Sequence, residues 1–197
     1  CLRSYRRSYN DIKMRDIPEI KDLIRVSPDR RRLWTDEEQS DELRRRIAVH
    51  EAGHAIVSIF LDSHRKITTV SINADAGSMG KAIMENIGDS ITESMIKANL
   101  ATLFGGGNAE RIVFGEHSTG CVADYKEATQ LASSMVNDLA MGEIGASSEK
   151  DFLVEADRKT TEILFAHKEE LMKIAELLFE KGTLTGKEIR GLLLYSE

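Results

Sequence analysis

Two histidines and a glutamate stand together in the segment HEAGH, where His50 and His54 are four residues apart and Glu51 follows the first histidine. Side chains four apart on an α-helix return to one face, so both imidazoles can bind the same tetrahedral metal ion. Glu51 lies one step around the helix, where its carboxylate can take a proton from water on the metal's open side. The pattern predicts half of a zinc site that hydrolyses amide bonds.

A zinc site of this kind needs a third protein ligand, with water in the fourth position. The histidine extension that defines metzincins is absent, because Val57 and Phe60 occupy its glycine and histidine positions. Spacing alone does not choose among the remaining acids, which include Asp62, Glu110, Glu116 and Asp124. The alternative is that His50 and His54 are ordinary helix residues that bind no metal.

Composition limits the classes of protein that the 197 residues can form. The chain is 41% apolar and 30% charged, which is typical of a globular fold. Residues 1–46 hold 13 basic and 10 acidic residues, and the rest holds 14 and 23, so we expect no nucleic-acid partner. The longest strongly apolar run, 55–61, is too short to cross a bilayer, and we expect no membrane contact by this segment. Two cysteines exclude a disulfide scaffold and favour a reducing compartment, cytoplasmic or inside an organelle.

The pattern of apolar residues predicts a mainly α fold with a small β-sheet inserted after the HEAGH helix. We expect an arm or linker over 1–34 and one domain over 35–197. The predicted helices cover 35–61, 91–113, 122–140 and 149–181, followed by a short last helix, and the predicted strands are 66–72 and KAIMEN.

Local signals refine these predicted helices. Three pairs of a hydroxyl residue and a glutamate predict helix starts, namely Thr35 with Glu38, Ser90 with Glu93, and Thr185 with Glu188. Gly182 is the predicted end of the long helix 149–181. The run Gly105, Gly106 and Gly107 is expected to weaken or bend its helix, whereas Gly53 inside HEAGH suggests a close backbone approach.

Five collinear segments resemble the peptidase domain of the FtsH-type, membrane-anchored AAA proteases, peptidase family M41. The similarity covers about residues 41–195. The segments are HEAGHA (50–55), ITTVSI (67–72), LFGGGNAERIVFGE (103–116), STGCVADYKEAT (118–129) and LFEKGTLTGKEI (178–189). Because they are independent and in order, they are far more specific than HExxH alone.

The resemblance implies which residues complete the site. The family's third zinc ligand falls on Asp124, and a family glutamate near the zinc histidines falls on Glu110, where it would orient an imidazole. The departures are Gly107, which replaces an arginine, and Cys121, Val122 and Ala123, which replace the three residues before Asp124. We expect Cys121 to pack as a small apolar residue rather than to bind zinc.

The resemblance also implies a function for the domain. It would be a zinc-dependent endopeptidase that hydrolyses unfolded polypeptides, with Zn²⁺ as cofactor, inside a homo-hexamer fed by an AAA ATPase module that this chain lacks. The parent protein would be membrane-anchored, and substrate would add to the edge of the strand within 79–86. The alternatives are a catalytically silent scaffold of the same family and a metal-free helical binding module with a basic arm.

Overall fold

A long central helix, α1 (Asp36–Phe60), carries the HEAGH segment. The structure is a computed structural model that describes residues 36–61, 65–73, 81–86, 92–142 and 148–194. Every residue from Glu51 to Ser58 is buried, so this stretch of α1 is enclosed on all sides rather than along one stripe. The predicted helix over 35–61 is confirmed, while the predicted cap at Thr35 lies outside the described residues.

Backbone contacts divide the chain into two units, Cys1–Glu42 and Leu43–Glu197. The apolar core lies in the second unit, beginning at Ala48 and ending at Ile189. The predicted arm over 1–34 falls outside the described residues, so a boundary after residue 34 stays a prediction. No helix within the described ranges is long and apolar enough to cross a membrane.

A three-stranded antiparallel sheet follows α1, in the order β2-β1-β3. Strands β1 (Arg65–Ser71) and β2 (Lys81–Asn86) pair as the sequence predicts, with Val70 opposite Ala82. The third strand, β3 (Thr183–Thr185), comes from near the end of the chain and pairs with the other side of β1. The sheet is therefore not wholly an insertion after α1, and β2 lies at one of its edges.

The second long helix, α2 (Glu93–Phe114), runs without interruption through its three consecutive glycines. The glycines at 105–107 therefore do not break the helix, and the expected weakening or bend stays a prediction. The N-cap residue is Thr92, whose hydroxyl accepts a hydrogen bond from the N–H of Met95 at 3.4 Å, while the predicted cap residue, Ser90, lies outside the described residues. Gly115 ends the helix at a φ of 82°, in the left-handed region that favours glycine.

The glycines allow α1 and α2 to cross in close contact. A Cβ on Gly53 would lie 2.5 Å from the Cβ of Ala109 and would also overlap the carbonyl of Gly105. A Cβ on Gly105 would lie 2.8 Å from the Cα of His54. The close approach suggested at Gly53 is thus confirmed, and the backbone that it approaches is that of Gly105.

Replacing Gly105 with alanine is expected to destabilise the fold. Alanine favours a helix over glycine by about 1 kcal/mol, but here its methyl group meets the backbone of α1, and overpacking of this kind costs about 1–3 kcal/mol. The free energy of unfolding, measured by urea denaturation, should fall. Gly191→Ala is the matched control, since nothing lies within 4 Å of a Cβ at that helical position. Equal effects of the two substitutions would contradict the close crossing.

A single 3₁₀ turn, Thr119–Cys121, leads into α3 (Val122–Asn137). Two helices then follow, α4 (Glu149–Ala166) and α5 (Lys168–Lys181), where the sequence predicts one helix over 149–181. That prediction is wrong at His167, whose φ of −117° and ψ of 35° interrupt the helix. The imidazole of His167 stacks on the ring of Phe60 with the ring centroids 3.6 Å apart, so the break fits α5 against the end of α1.

The last described element is α6 (Gly186–Leu194), the short final helix that the sequence predicts. Gly182 caps α5 with a φ of 76°, which confirms its predicted place. The predicted pair at the start of the last helix is also confirmed, because the carboxylate of Glu188 accepts hydrogen bonds from the N–H and the hydroxyl of Thr185, each at 2.8 Å. A similar pair that the sequence analysis missed, Ser148 with Asp151, caps α4.

Candidate metal centre

The imidazoles of His50 and His54 converge on one carboxylate, that of Asp124 in the first turn of α3. The two Nε2 atoms are 3.1 Å apart. The Oδ2 atom of Asp124 lies 3.2 Å from Nε2 of His50 and 3.5 Å from Nε2 of His54. Among the described histidines, cysteines and acids, these side chains are the one group of three or more whose ligand atoms lie within 4.8 Å of one another.

These separations suit a tetrahedral zinc ion. Nitrogen and oxygen ligands bind zinc at about 2.0–2.1 Å, and two ligands of a tetrahedron at that radius stand about 3.3 Å apart. The three measured separations lie on either side of that distance. The donor set, two imidazole nitrogens and one carboxylate with an open fourth position, is also the kind that catalytic zinc sites use.

Each imidazole is held through its other nitrogen. Nδ1 of His54 donates to the carbonyl of Thr102 at 2.7 Å, and Nδ1 of His50 faces the carboxylate of Glu110 at 2.9 Å. A carbonyl or a carboxylate can only accept, so Nδ1 of each ring keeps its proton, and Nε2 of each ring, which faces Asp124, is the atom that could exchange its proton for a metal ion. The two rings are thus oriented in the tautomer that binds a metal.

Glu110 is the centre of a buried polar network on α2. Its side chain is 1% exposed, and Arg46 contacts its Oε2 at 3.2 Å. The backbone N–H of Ser118 donates to the same oxygen at 2.7 Å, and the Ser118 hydroxyl reaches Oε1 at 3.1 Å. Glu110 therefore joins His50 to the loop that leads into α3, which is more than the sequence analysis assigned to it.

The charges around the site favour a cation between the three side chains. Burial lowers the pKa of His50, but hydrogen bonds to Asp124 and Glu110 outweigh it and raise that pKa from 6.5 to about 9. Burial raises the pKa of Asp124, yet hydrogen bonds from both histidines hold it well below its usual range. Burial likewise raises the pKa of Glu110, but the bonds from His50 and Ser118 lower it overall. Without a metal ion, protons supply the positive charge that the two carboxylates attract.

Glu51 differs from the other acids of the site. Its carboxylate is 6% exposed, and no described residue forms a hydrogen bond or ion pair with it. Burial raises its pKa, since an ionised group is costly in the protein interior, while the nearby histidines oppose that shift. A buried carboxylate with a raised pKa beside the imidazoles of His50 and His54 has the character of a proton-transfer group.

The other residues singled out in the sequence do not join this group. Cys121 is 1% exposed, as the packing interpretation expects, and its thiol donates to the carbonyl of Ser118 at 3.0 Å. Burial raises the pKa of that thiol. His117 is exposed, with its Nδ1 atom 3.3 Å from the Cys121 sulfur. Glu116 is not a member of the group within the described ranges, and Asp62 lies outside them.

Two glycines of α2 belong to the site although the sequence analysis assigned them no contact there. The imidazole of His50 lies directly on Gly106, where a Cβ would overlap three of the ring atoms. The phenol of Tyr125 lies on Gly107 in the same way, and burial raises the pKa of this phenol to about 12. Side chains that lie on a bare backbone leave no pattern in the sequence except the glycines themselves.

The sequence pattern that defines peptidase family M41 matches residues 37–152, which is more than half of the chain and includes all three residues of the candidate metal centre. The chain belongs to peptidase family M41.

Relatives of known description agree with that assignment. The chain is 30% identical to the ATP-dependent zinc metalloprotease FtsH of Streptococcus pneumoniae serotype 4, over 98% of this chain and 34% of the relative. It is 29% identical to the ATP-dependent zinc metalloprotease FtsH 3 of Phytoplasma mali, over 95% of this chain and 33% of the relative. It is also 29% identical to the ATP-dependent zinc metalloprotease FtsH of Kosmotoga olearia, over 98% of this chain and 35% of the relative. The chain spans about a third of the length of these relatives.

Proposed function

We propose that this chain is a zinc-dependent endopeptidase domain, in which His50, His54 and Asp124 hold the ion and Glu51 is the general base. The observation that carries the proposal is the convergence of two Nε2 atoms and one carboxylate oxygen at the separations of a tetrahedral zinc site. Membership in family M41 and the zinc metalloprotease relatives support it.

The residues divide the chemistry of peptide hydrolysis between them. A zinc ion bound there supplies a Lewis acid, which lowers the pKa of water to about 7 and polarises a carbonyl group. Glu51 takes a proton from the attacking water and later delivers it to the leaving amide nitrogen. Glu110 and the carbonyl of Thr102 hold the two imidazoles so that their Nε2 atoms keep facing Asp124.

Cleavage of an unfolded protein tests the proposal directly. Casein is incubated with the purified chain, and new amino termini are counted over time with zinc, with a chelator, and with zinc restored after chelation. Cleavage that is lost on chelation and regained with zinc is the expected result. A preparation that contains stoichiometric zinc yet cleaves no casein would favour the alternative of a catalytically silent scaffold. The presence of Glu51 argues against that alternative.

We further propose that substrate binds as an added strand along β2. That strand is an edge of the sheet, and no described strand pairs with its outer side. Backbone hydrogen bonds along such an edge give affinity with little side-chain selectivity, which suits the degradation of unfolded chains.

Proline substitutions in β2 test the added strand. Neighbouring residues of an antiparallel strand direct their N–H groups to opposite sides. The N–H of one of the two residues Ala82 and Ile83 therefore points toward β1, and the N–H of the other points toward the open edge. We expect one of Ala82→Pro and Ile83→Pro to lower the melting temperature, and the other to lose casein cleavage at normal stability and zinc content. Met84→Pro should behave as Ala82→Pro does. Full cleavage by all three variants would contradict substrate binding at this edge.

The relatives are described as ATP-dependent, and about two thirds of their length lies outside the match. We propose that an AAA ATPase module, in the parent chain or in trans, unfolds the substrates and that the assembly is a homo-oligomer, a hexamer as the FtsH resemblance implies. The domain by itself would then cleave only chains that are already unfolded. Residues 1–34 would link it to the rest of the parent protein.

A further inference from the structure

The ring of Tyr125 occupies space that exists only because residue 107 has no side chain. A Cβ built on Gly107 would overlap the phenol oxygen of Tyr125 and would lie 2.9 Å from its Cζ atom. It would also lie 3.3 Å from the Cβ of Cys121. Any side chain at position 107 would therefore collide with Tyr125 as it is placed here.

Tyr125 is enclosed by further contacts on the same side. Its ring centroid is 5.4 Å from that of Phe104 on α2, with the planes tilted by 38°. The imidazole of His117 meets the ring edge-on at 5.6 Å and 82°. These partners, with Gly107 beneath, fix the ring against α2, so the first turn of α3 is held at one distance from α2.

The first turn of α3, in which Asp124 lies, is not capped by a side chain. The side chain of its N-cap residue, Cys121, donates to the carbonyl of Ser118 but accepts no hydrogen bond from the N–H groups of the first turn. The described contacts of the Asp124 carboxylate are those to His50 and His54. The place of this carboxylate consequently depends on how its neighbours pack, and Tyr125 is the next residue in the chain.

The two halves of the metal centre rest on consecutive residues of α2. His50 lies on Gly106 and Tyr125 lies on Gly107. Adjacent helix positions are rigidly related, so these two contacts set the distance between the imidazole of His50 and the start of α3. We propose that Tyr125, seated on Gly107, is a positioning residue that places the Asp124 carboxylate opposite the two histidines. This inference rests on the proposed zinc site.

A side chain at position 107 should displace Tyr125 and, with it, Asp124. Ligands need to stay within about 0.5 Å of their productive positions, and residues that support metal ligands typically change metal affinity about 10–100-fold when they are altered. Gly107→Ala and Tyr125→Ala should each weaken zinc binding by that factor. The double variant should be no weaker than the worse single variant, because both changes remove the same contact.

Metal affinity, measured by competition with a chromophoric chelator, and the absorption spectrum of the Co²⁺-loaded protein test the proposal. The spectra of Gly107→Ala and Tyr125→Ala should shift toward that of Asp124→Asn. Tyr125→Phe should bind zinc as the unaltered chain does, and it should restore part of the affinity that Gly107→Ala loses, because the phenol oxygen is the atom nearest the new methyl group. Gly191→Ala is the control for a glycine-to-alanine change in a helix.

The outcomes separate this inference from the proposed function. If the unaltered chain binds zinc and cleaves casein, but both single variants bind zinc and Co²⁺ as it does, the positioning role is overturned and the proposed function stands. If the unaltered chain binds no zinc, both fail. A variant that loses helical circular dichroism is replaced by Tyr125→Leu, whose affinity and spectrum decide between the same two results.

Discussion

Glu51→Gln is expected to abolish peptide hydrolysis while leaving zinc in place. Glutamine keeps the shape of the buried side chain but cannot accept the proton of the attacking water. General-base catalysis contributes about 10²–10⁴-fold to such reactions, and the rate of casein cleavage should fall by a factor in that range. The metal content should not change, since His50, His54 and Asp124 remain. Initial rates and zinc per chain are measured on the same preparation.

A neighbouring acid gives the matched control for this experiment. Glu127 is exposed on α3 and lies close in sequence to Asp124. Glu127→Gln makes the same chemical change outside the site and should cleave at the normal rate. If Glu51→Gln also cleaved casein normally, Glu51 would not be the base. If Glu51→Gln lost its zinc, Glu51 would be needed for metal binding, and the proposed division of roles between Glu51 and the three ligands would be wrong.

Asp124→Asn should have the second large effect, on metal binding itself. The amide keeps an oxygen near both Nε2 atoms but removes the negative charge that the ion would neutralise. Residues that only support a metal ligand change metal affinity by at most roughly 100-fold when they are altered, and the loss of a ligand should lower zinc affinity by more than that. At sub-saturating zinc, the rate of casein cleavage should fall as well. Affinity is measured by chelator competition, and cleavage is followed across a zinc titration.

Asp138→Asn is the matched control for Asp124→Asn. Asp138 is exposed at the other end of the same helix, where it is the C-cap residue of α3. Its replacement should leave zinc affinity unchanged. Equal affinity of the two variants would contradict the assignment of Asp124 as the third ligand and would leave the histidine pair with an unidentified partner.

Periodicity in the sequence predicted the long elements of the fold and failed where tertiary contacts decide. The sequence predicts the helix around HEAGH, a helix over 122–140 that ends at Asn137 in the structure, the two paired strands, and the caps at Thr185 and Gly182. The break at His167 was not predicted, because the apolar stripe continues across it and neither glycine nor proline marks it. β3 was missed because its three residues form a strand only by pairing with β1.

The candidate site divides in the same way. His50, Glu51 and His54 could be recognised together because helix geometry relates residues four apart. Asp124 and Glu110 are separated from them by long stretches of chain, and only the family resemblance selected them; the structure then brings both within hydrogen-bonding distance of His50. The packing role of the glycine run could not be predicted, because a sequence shows that glycines lack side chains but does not show which rings contact them.

The most direct measurement of the central claim is an anomalous diffraction map of the zinc-loaded protein, recorded above and below the zinc absorption edge. We expect one strong peak between Nε2 of His50, Nε2 of His54 and the carboxylate of Asp124, at about 2.0–2.2 Å from each ligand atom. A peak bound by other residues, or no peak from protein that contains stoichiometric zinc, would contradict the claim that these three side chains form the metal centre.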